Sequence, residues 1–151
     1  MSKIYIDADA CPVKEEIYKV AIRNGVEVLV VSNGGIRPHP HSLINLQVVS
    51  EGLNIADDWI AERADNNDLV ITNDIPLAEK CIKNEATVIK PDGTRLDHSN
   101  IGPVLANRNL MAEIRSADPF YKNRGREFSK QDRLKFLNVL EAEIRKKLSP
   151  I

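Results

Sequence analysis

The sequence predicts an α/β fold, a mainly parallel five-stranded sheet with helices on both faces, and three observations carry that expectation. Apolar runs of strand length alternate with segments of helical period from Lys3 to Ile89. The runs are nearly continuous, as in Val28-Leu29-Val30-Val31, which is how strands buried on both faces read. Pro12 and Pro76 stand where helices would start, and Gly25 stands just past where one would end.

Taken in order, Lys3–Ile6 is the first strand, and a helix begins at Pro12 and runs to about Asn24. Glu27–Val31 is the second strand, broken by Asn33-Gly34-Gly35, with a loop through Pro38 and Pro40 behind it. Leu46–Val49 is a short third strand, Ile55–Ala64 a helix, Asp68–Thr72 a fourth strand, Ile75–Asn84 a helix and Thr87–Ile89 a fifth strand. Crossovers of this kind between parallel strands are right-handed. The last third changes character: Ile101–Arg115 reads as a helix, Ser116–Arg126 as a loop, and Ser129 as the cap of a final helix. There Leu134, Leu137, Leu140 and Ile144 recur at helical spacing and form a stripe expected to dock on the sheet.

With 151 residues the chain fits a single domain over 1–151, a core of 1–115 followed by a C-terminal loop and helix over 116–151. A 42% hydrophobic and 28% charged composition belongs to a globular protein, and no apolar stretch approaches the roughly 20 residues of a membrane span. The N-terminus shows no basic-then-apolar leader, so the expected location is cytoplasmic. Cys11 and Cys81 are too few for a disulfide framework and are expected to be thiols.

The net charge of -1 conceals an asymmetry: residues 1–106 hold 10 Lys/Arg against 16 Asp/Glu, and residues 107–151 hold 11 against 6. An acidic front needs a basic surface if its substrate carries phosphates, and Arg108 and Arg133 in the tail, with Arg37 in the front, are candidates to contact RNA or DNA. A solvated helix surface explains the tail equally well.

The chemistry concentrates in aspartates at strand-to-helix junctions. Asp7 and Asp9 follow the first strand, and if strand geometry persisted they would share a face. Asp57 and Asp58 open a helix, where carboxylates also favour the helix dipole; Asp57 shares a face with Ile60, Ala61 and Ala64, so it is the better candidate to point at the sheet. Asp74 follows the fourth strand, with helix capping as its rival role. Carboxylates at the carboxyl ends of strands converge on the crevice where open α/β sheets bind ligands, and several like charges there favour a hard divalent cation, Mg²⁺ or Mn²⁺. The expected catalytic set is Asp7, Asp9, Asp57 and Asp74, and the expected metal ligands are Asp7, Asp57, Asp58 and Asp74. Asn33 and Thr72, polar residues at strand ends, are candidates to orient water or substrate, although each also suits simple strand termination.

The motifs Asp7-Ala8-Asp9-Ala10-Cys11-Pro12-Val13, Ala56-Asp57-Asp58-Trp59-Ile60 and Asp68 through Ala78, with Arg108 and the tail pattern Phe128-Ser129, Asp132-Arg133 and Phe136, resemble the YaiI/YqxD family of uncharacterised bacterial proteins across nearly the whole chain. Asn73 stands where that pattern expects alanine. The family in turn resembles PIN-like and related NYN nuclease domains. This resemblance implies a three-layer α/β/α sandwich and a divalent-metal-dependent nuclease site, with Asp7, Asp57 and Asp74 as central ligands and Asp9 and Asp58 as additional ones.

Two other functions compete. An apolar strand followed by Asp-x-Asp, with a second strand ending in Ser32-Asn33, also resembles haloacid-dehalogenase-type phosphatases, in which Asp7 would be the nucleophile and Asp9 the general acid. That reading leaves Asp57 and Asp74 without a place. A noncatalytic nucleic-acid- or metal-binding module would show affinity without turnover. Zinc at His39 and His41 lacks further ligands, and Cys11 as nucleophile is opposed by the aspartates beside it.

Overall fold

The structure is a computed structural model, and it describes residues 2–8, 11–52, 54–117 and 128–148, the side chain of Arg115 excepted. The elements are β1 (Lys3–Asp7), α1 (Lys14–Asn24), β2 (Glu27–Ser32), β3 (Ile44–Val48), α2 (Ile55–Arg63), β4 (Leu69–Ile71), α3 (Ile75–Lys83), β5 (Thr87–Ile89), β6 (Arg95–Leu96), α4 (Ile101–Ala117) and α5 (Lys130–Leu148). Among the described residues the sheet has six strands in the order β3-β2-β1-β4-β5-β6. The first five are parallel and β6 runs antiparallel to β5.

The five parallel strands are those expected from the sequence, and β6 is a correction to their number. Two residues are too short to show a period, and β6 exists because the turn at Pro91–Thr94 folds the chain back on β5, with Lys90 N–H donating to the Thr94 carbonyl at 2.8 Å. Helix α4 runs to Ala117, so Ser116 is helical where a loop is expected, and two elements start elsewhere than expected. Strand β3 begins at Ile44 rather than Leu46, since its first residues pair with Val28 and Leu29. Helix α1 begins at Lys14 rather than Pro12, because the first helical bond is from Ile17 N–H to the Val13 carbonyl. Gly25 ends α1 in the left-handed conformation (φ 70°) and donates to the Ala21 and Ile22 carbonyls, a role that suits a residue without Cβ.

Side-chain alternation divides the core into two. Ile4, Ile6, Val28, Val30, Leu69, Ile71 and Ile89 face one side, where they meet Ile17, Val20 and Ala21 of α1 and Phe136, Leu140 and Ile144 of α5. Tyr5, Val31, Val70 and Val88 face the other, packed by Ile60 of α2, Leu77, Ala78 and Cys81 of α3, and Ile101 of α4. The result is a three-layer α/β/α sandwich. The C-terminal helical extension α5 completes one layer, with Phe136 and Leu140 fully buried; truncating a phenylalanine so placed typically costs about 3–5 kcal/mol. The docking stripe of α5 is Phe136, Leu140 and Ile144 with a half-buried Leu137. Leu134, counted in the stripe from its spacing, is instead 62% exposed, because the buried face of α5 is turned toward Asp132 and Phe136. Buried Glu143 pairs with Arg95 at 3.2 Å and fastens α5 to β6.

The chain leaves β1 to build β2 and β3 on one side and later β4 and β5 on the other. The carboxyl ends of β1 and β4 are therefore the point where strand order reverses and helices diverge to opposite faces, opening a crevice. No helix among the described residues is long and apolar enough to cross a membrane.

Candidate functional site

Pairing of Ile6 with Ile71 sets the ends of β1 and β4 level, so Asp7 and Thr72 come next to each other beyond the last paired residues. Alternation places both on the α2/α3 side, since Tyr5 and Val70 face that way. The Thr72 hydroxyl donates to Asp7 Oδ2 at 3.1 Å and accepts from Asp74 N–H at 2.9 Å. Asp74 is the N-cap of α3, its Oδ1 accepting from Leu77 N–H at 2.9 Å. Capping and proximity to Asp7 thus coexist in one side chain: one oxygen is committed to the helix and the residue still borders the crevice.

Asp57 reaches the same place from α2, which packs on β1 through buried Ala56 and Ile60. Its carboxyl shares a hydrogen bond with that of Asp74 and is pushed up to about 6, first by burial, then by the charges of Asp74 and Asp7, with Lys80 opposing the rise. The physical content is that like-charged groups crowd a half-buried space, so Asp57 gives up its proton less readily than an exposed aspartate does. Asp7 is the most enclosed of them, 9% exposed.

The remaining sequence candidates are distributed differently. Asp9 lies outside the described residues. Asp58 is exposed and turned to Lys80 of α3 at 3.2 Å, away from the group formed by its neighbour Asp57. Asn33 and Arg37 are exposed on the connection after β2, and Arg108 is exposed on α4, donating to Asn109 at 3.2 Å. Arg133 is occupied in joining α5 to α1: it pairs with Glu16 at 2.7 Å, donates to the Pro12 carbonyl at 3.2 Å and lies 4.9 Å over the Phe128 ring. Of the tail's other cations, Lys122, Arg124 and Arg126 fall outside the described residues.

Reading the sequence missed Lys80, the cation beside Asp57 and Asp58. The available signal was its place on α3, three residues after Leu77, on the side where α2 and α3 pack. His39 and His41 each use Nδ1 to accept a backbone N–H, from His41 at 3.0 Å and from Leu43 at 3.1 Å, which makes them turn residues of their loop. Burial pushes the Cys11 thiol up to about 11 and the Cys81 thiol up to about 12, so neither is a ready nucleophile.

Among the described residues no group of three His, Cys, Asp or Glu side chains is disposed to hold a metal ion as it stands. The donor chemistry nevertheless suits one: Asp7, Asp57 and Asp74 are hard oxygen donors, the charges of Asp7 and Asp74 help to raise the Asp57 carboxyl, and a divalent cation would relieve that repulsion.

Three comparisons place the chain among known proteins. The family described as "Uncharacterized BCR, YaiI/YqxD family" matches residues 5–146. A UPF0178 protein of Cereibacter sphaeroides is 55% identical over 146 residues, covering 97% of this chain and 90% of its own length. Relatives of the same description in Roseobacter denitrificans and Parvibaculum lavamentivorans are 51% and 50% identical, covering 97% and 93% of this chain and 97% and 92% of their own lengths. No solved structure matches the chain significantly. An identity near one half along almost the full length admits one conclusion: the chain belongs to the YaiI/YqxD family, UPF0178.

Proposed function

We propose that this protein is a divalent-metal-dependent phosphodiester hydrolase acting on nucleic acid, RNA or DNA. The observation that supports this reading best is the meeting of Asp7, Asp57 and Asp74, from three separate elements, at the reversal point of a parallel sheet, with Asp57 raised to about 6 by burial and by the charges of the other two. Asp7, Asp57 and Asp74 would hold Mg²⁺ or Mn²⁺, with Asp9 as a further carboxylate. Such an ion supplies an activated water and neutralises charge developing at phosphorus. The protein's own groups have definite tasks. Thr72 fixes the orientation of Asp7 and the backbone of Asp74 through one hydroxyl. Lys80 holds Asp58 to one side and offsets part of the negative charge around Asp57. Arg37 and Arg108, both exposed, are available to a phosphate backbone.

The test is Mn²⁺-dependent cleavage of fluorescent single- and double-stranded oligonucleotides, with calorimetric titration of Mn²⁺ alongside. Wild-type protein is expected to bind the ion and cleave, and Asp7→Asn and Asp74→Asn each to lose at least about 100-fold in rate, equivalent to ~2.7 kcal/mol of barrier. No Mn²⁺ binding and no cleavage by folded protein overturns the reading. A beryllofluoride adduct on Asp7 would move it to an aspartyl-phosphate phosphatase, and oligonucleotide binding with rates untouched by both substitutions would move it to a binding module.

A further inference from the structure

On the α1/α5 side of the same sheet edge lies a cavity of about 250 Å³, lined by Pro12, Asn73, Pro91, Asp92, Phe128 and Asp132. Asn73 stands between Thr72 and Asp74, so this cavity and the aspartate group share a stretch of backbone at the end of β4. The volume lies below the roughly 300–1,000 Å³ of pockets for drug-sized ligands and suits about one planar ring system.

The walls are fixed before any ligand arrives. On one side Arg133 lies over Phe128 and bonds the Pro12 carbonyl, joining two lining residues through one guanidinium. On the other, the turn carrying Pro91 and Asp92 abuts α5: a Cβ at Gly93 would come within 2.7 Å of Lys135 Cγ and 2.9 Å of the helix backbone, and Gly93 has φ +91°. Asp92 accepts the Thr94 N–H at 2.9 Å, while Asp132 and Ser129 cap α5 reciprocally, Ser129 N–H to Asp132 at 3.0 Å and Asp132 N–H to the Ser129 hydroxyl at 3.1 Å.

The lining chemistry is specific in what it offers. The carboxylate of Asp92 presents an acceptor, with Lys90 and Lys135 offsetting part of its charge, and two prolines with a phenylalanine offer flat apolar faces that do nothing for a hydrated ion. Burial works against ionisation at Asp92, yet its hydrogen bonds from Thr94 outweigh this and hold the carboxyl below its ordinary range, so it is an acceptor at neutral pH. The fitting occupant is neutral, planar and rich in donors along one edge. We propose that this cavity is a nucleobase subsite that prefers guanine, whose adjacent ring N–H and amino group match the carboxylate of Asp92, while uracil's two carbonyls would meet that same acceptor. Guanine stacks against Phe128 and the prolines, Asn73 meets its remaining edge, and the attached phosphodiester extends toward Asp7 and Asp74. The strand-cleaving context rests on the proposed nuclease reading, whereas the base preference rests on the cavity alone.

The experiment uses the full chain with Asp7→Asn, in EDTA, and measures by fluorescence anisotropy the binding of heptauridylate and of the same strand with guanine, adenine or cytosine at its centre. The guanine strand is expected to bind about tenfold tighter than heptauridylate, as one bidentate contact provides. Asp92→Asn, which keeps the acceptor for Thr94, and Phe128→Leu are each expected to remove that difference while leaving the heptauridylate affinity and the melting temperature of the protein within a few degrees. Guanosine monophosphate displacing the strand at equal concentration identifies a free nucleotide as the natural source of the base. Equal affinity for all four strands, or a guanine preference that survives both substitutions, overturns the subsite. A guanine preference in a wild-type protein that cleaves nothing keeps the subsite and removes the nuclease; Mn²⁺-dependent cleavage with no base preference does the reverse.

Discussion

Two ends of the same sheet each bury aspartate, and the contrast between them separates a carboxylate that builds the fold from carboxylates poised for chemistry. At the amino end, Asp68 is 4% exposed and accepts the backbone N–H of Lys3 at 3.1 Å and of Asp65 at 3.0 Å, tying β1 to the turn before β4. At the carboxyl end, Asp57 is bonded to another acid, Asp74, beside a third, Asp7. Burial raises both Asp68 and Asp57. At Asp68 the carboxyl of Asp65 adds to the rise but the backbone donors of Asp65 and Lys3 oppose it, while at Asp57 the charges of both Asp74 and Asp7 add to it and no backbone donor opposes it. A carboxylate surrounded by donors is finished; one surrounded by carboxylates is waiting for a cation or a proton.

The contrast breaks most decisively through Asp68→Ala. Two enclosed N–H groups lose their acceptor, and the expected loss is about 2–4 kcal/mol in urea denaturation. A loss under about 1 kcal/mol would mean that Asp68 is not structural.

Asp57→Asn is expected to have the opposite sign. Because Asp57 binds its proton more tightly in the folded chain, its contribution to stability is complete below its ordinary value of 3.8 and is lost as the pH rises through about 6. Removing the ionisable group restores that contribution at neutral pH, a gain of ~3 kcal/mol without screening and about 1–2 kcal/mol once solvent is allowed for. The gain should vanish below about pH 4, and urea titrations across that range check it. Stabilisation together with lost Mn²⁺ binding marks a site in which stability is given up for function.

Thr72→Val sharpens the comparison. It removes the hydroxyl shared by Asp7 and the Asp74 N–H, and the expected cost is about 1 kcal/mol in stability with a larger fractional loss of Mn²⁺ affinity. Lys80→Gln gives the smallest effect. Its pair with Asp58 is exposed on both sides, so stability should change by less than about 0.5 kcal/mol, while the Asp57 carboxyl should titrate higher in a carbon-detected NMR experiment.

Legibility in the sequence followed the reach of each signal. The strand ends at Asp7 and Thr72 could be read because an apolar run stops there, and Asp57 could be preferred over Asp58 because helical spacing ties it to Ile60 and Ala64. The side chain of Leu134 was misplaced by that same periodicity: adjacent turns offer two overlapping stripes, and only the position of the sheet selects Phe136, Leu140 and Ile144. Arg133 looked like a free cation, since the Glu16 and Pro12 carbonyl that occupy it are more than a hundred residues away in sequence. The two-residue strand β6 and the Asp92 cavity have no local pattern at all, being products of a turn pressed onto α5.

By itself the sequence determined the five parallel strands, the helices and which carboxylates stand at their junctions, because those depend on the local period and on turn residues. The tertiary structure alone decided that β4 would add beside β1 and so bring Asp7 to Thr72 and Asp74, and that burial and its neighbours would raise the Asp57 carboxyl. Parallel pairing and charge repulsion act between segments distant in the chain, and their strength depends on separations and burial that only the folded molecule sets.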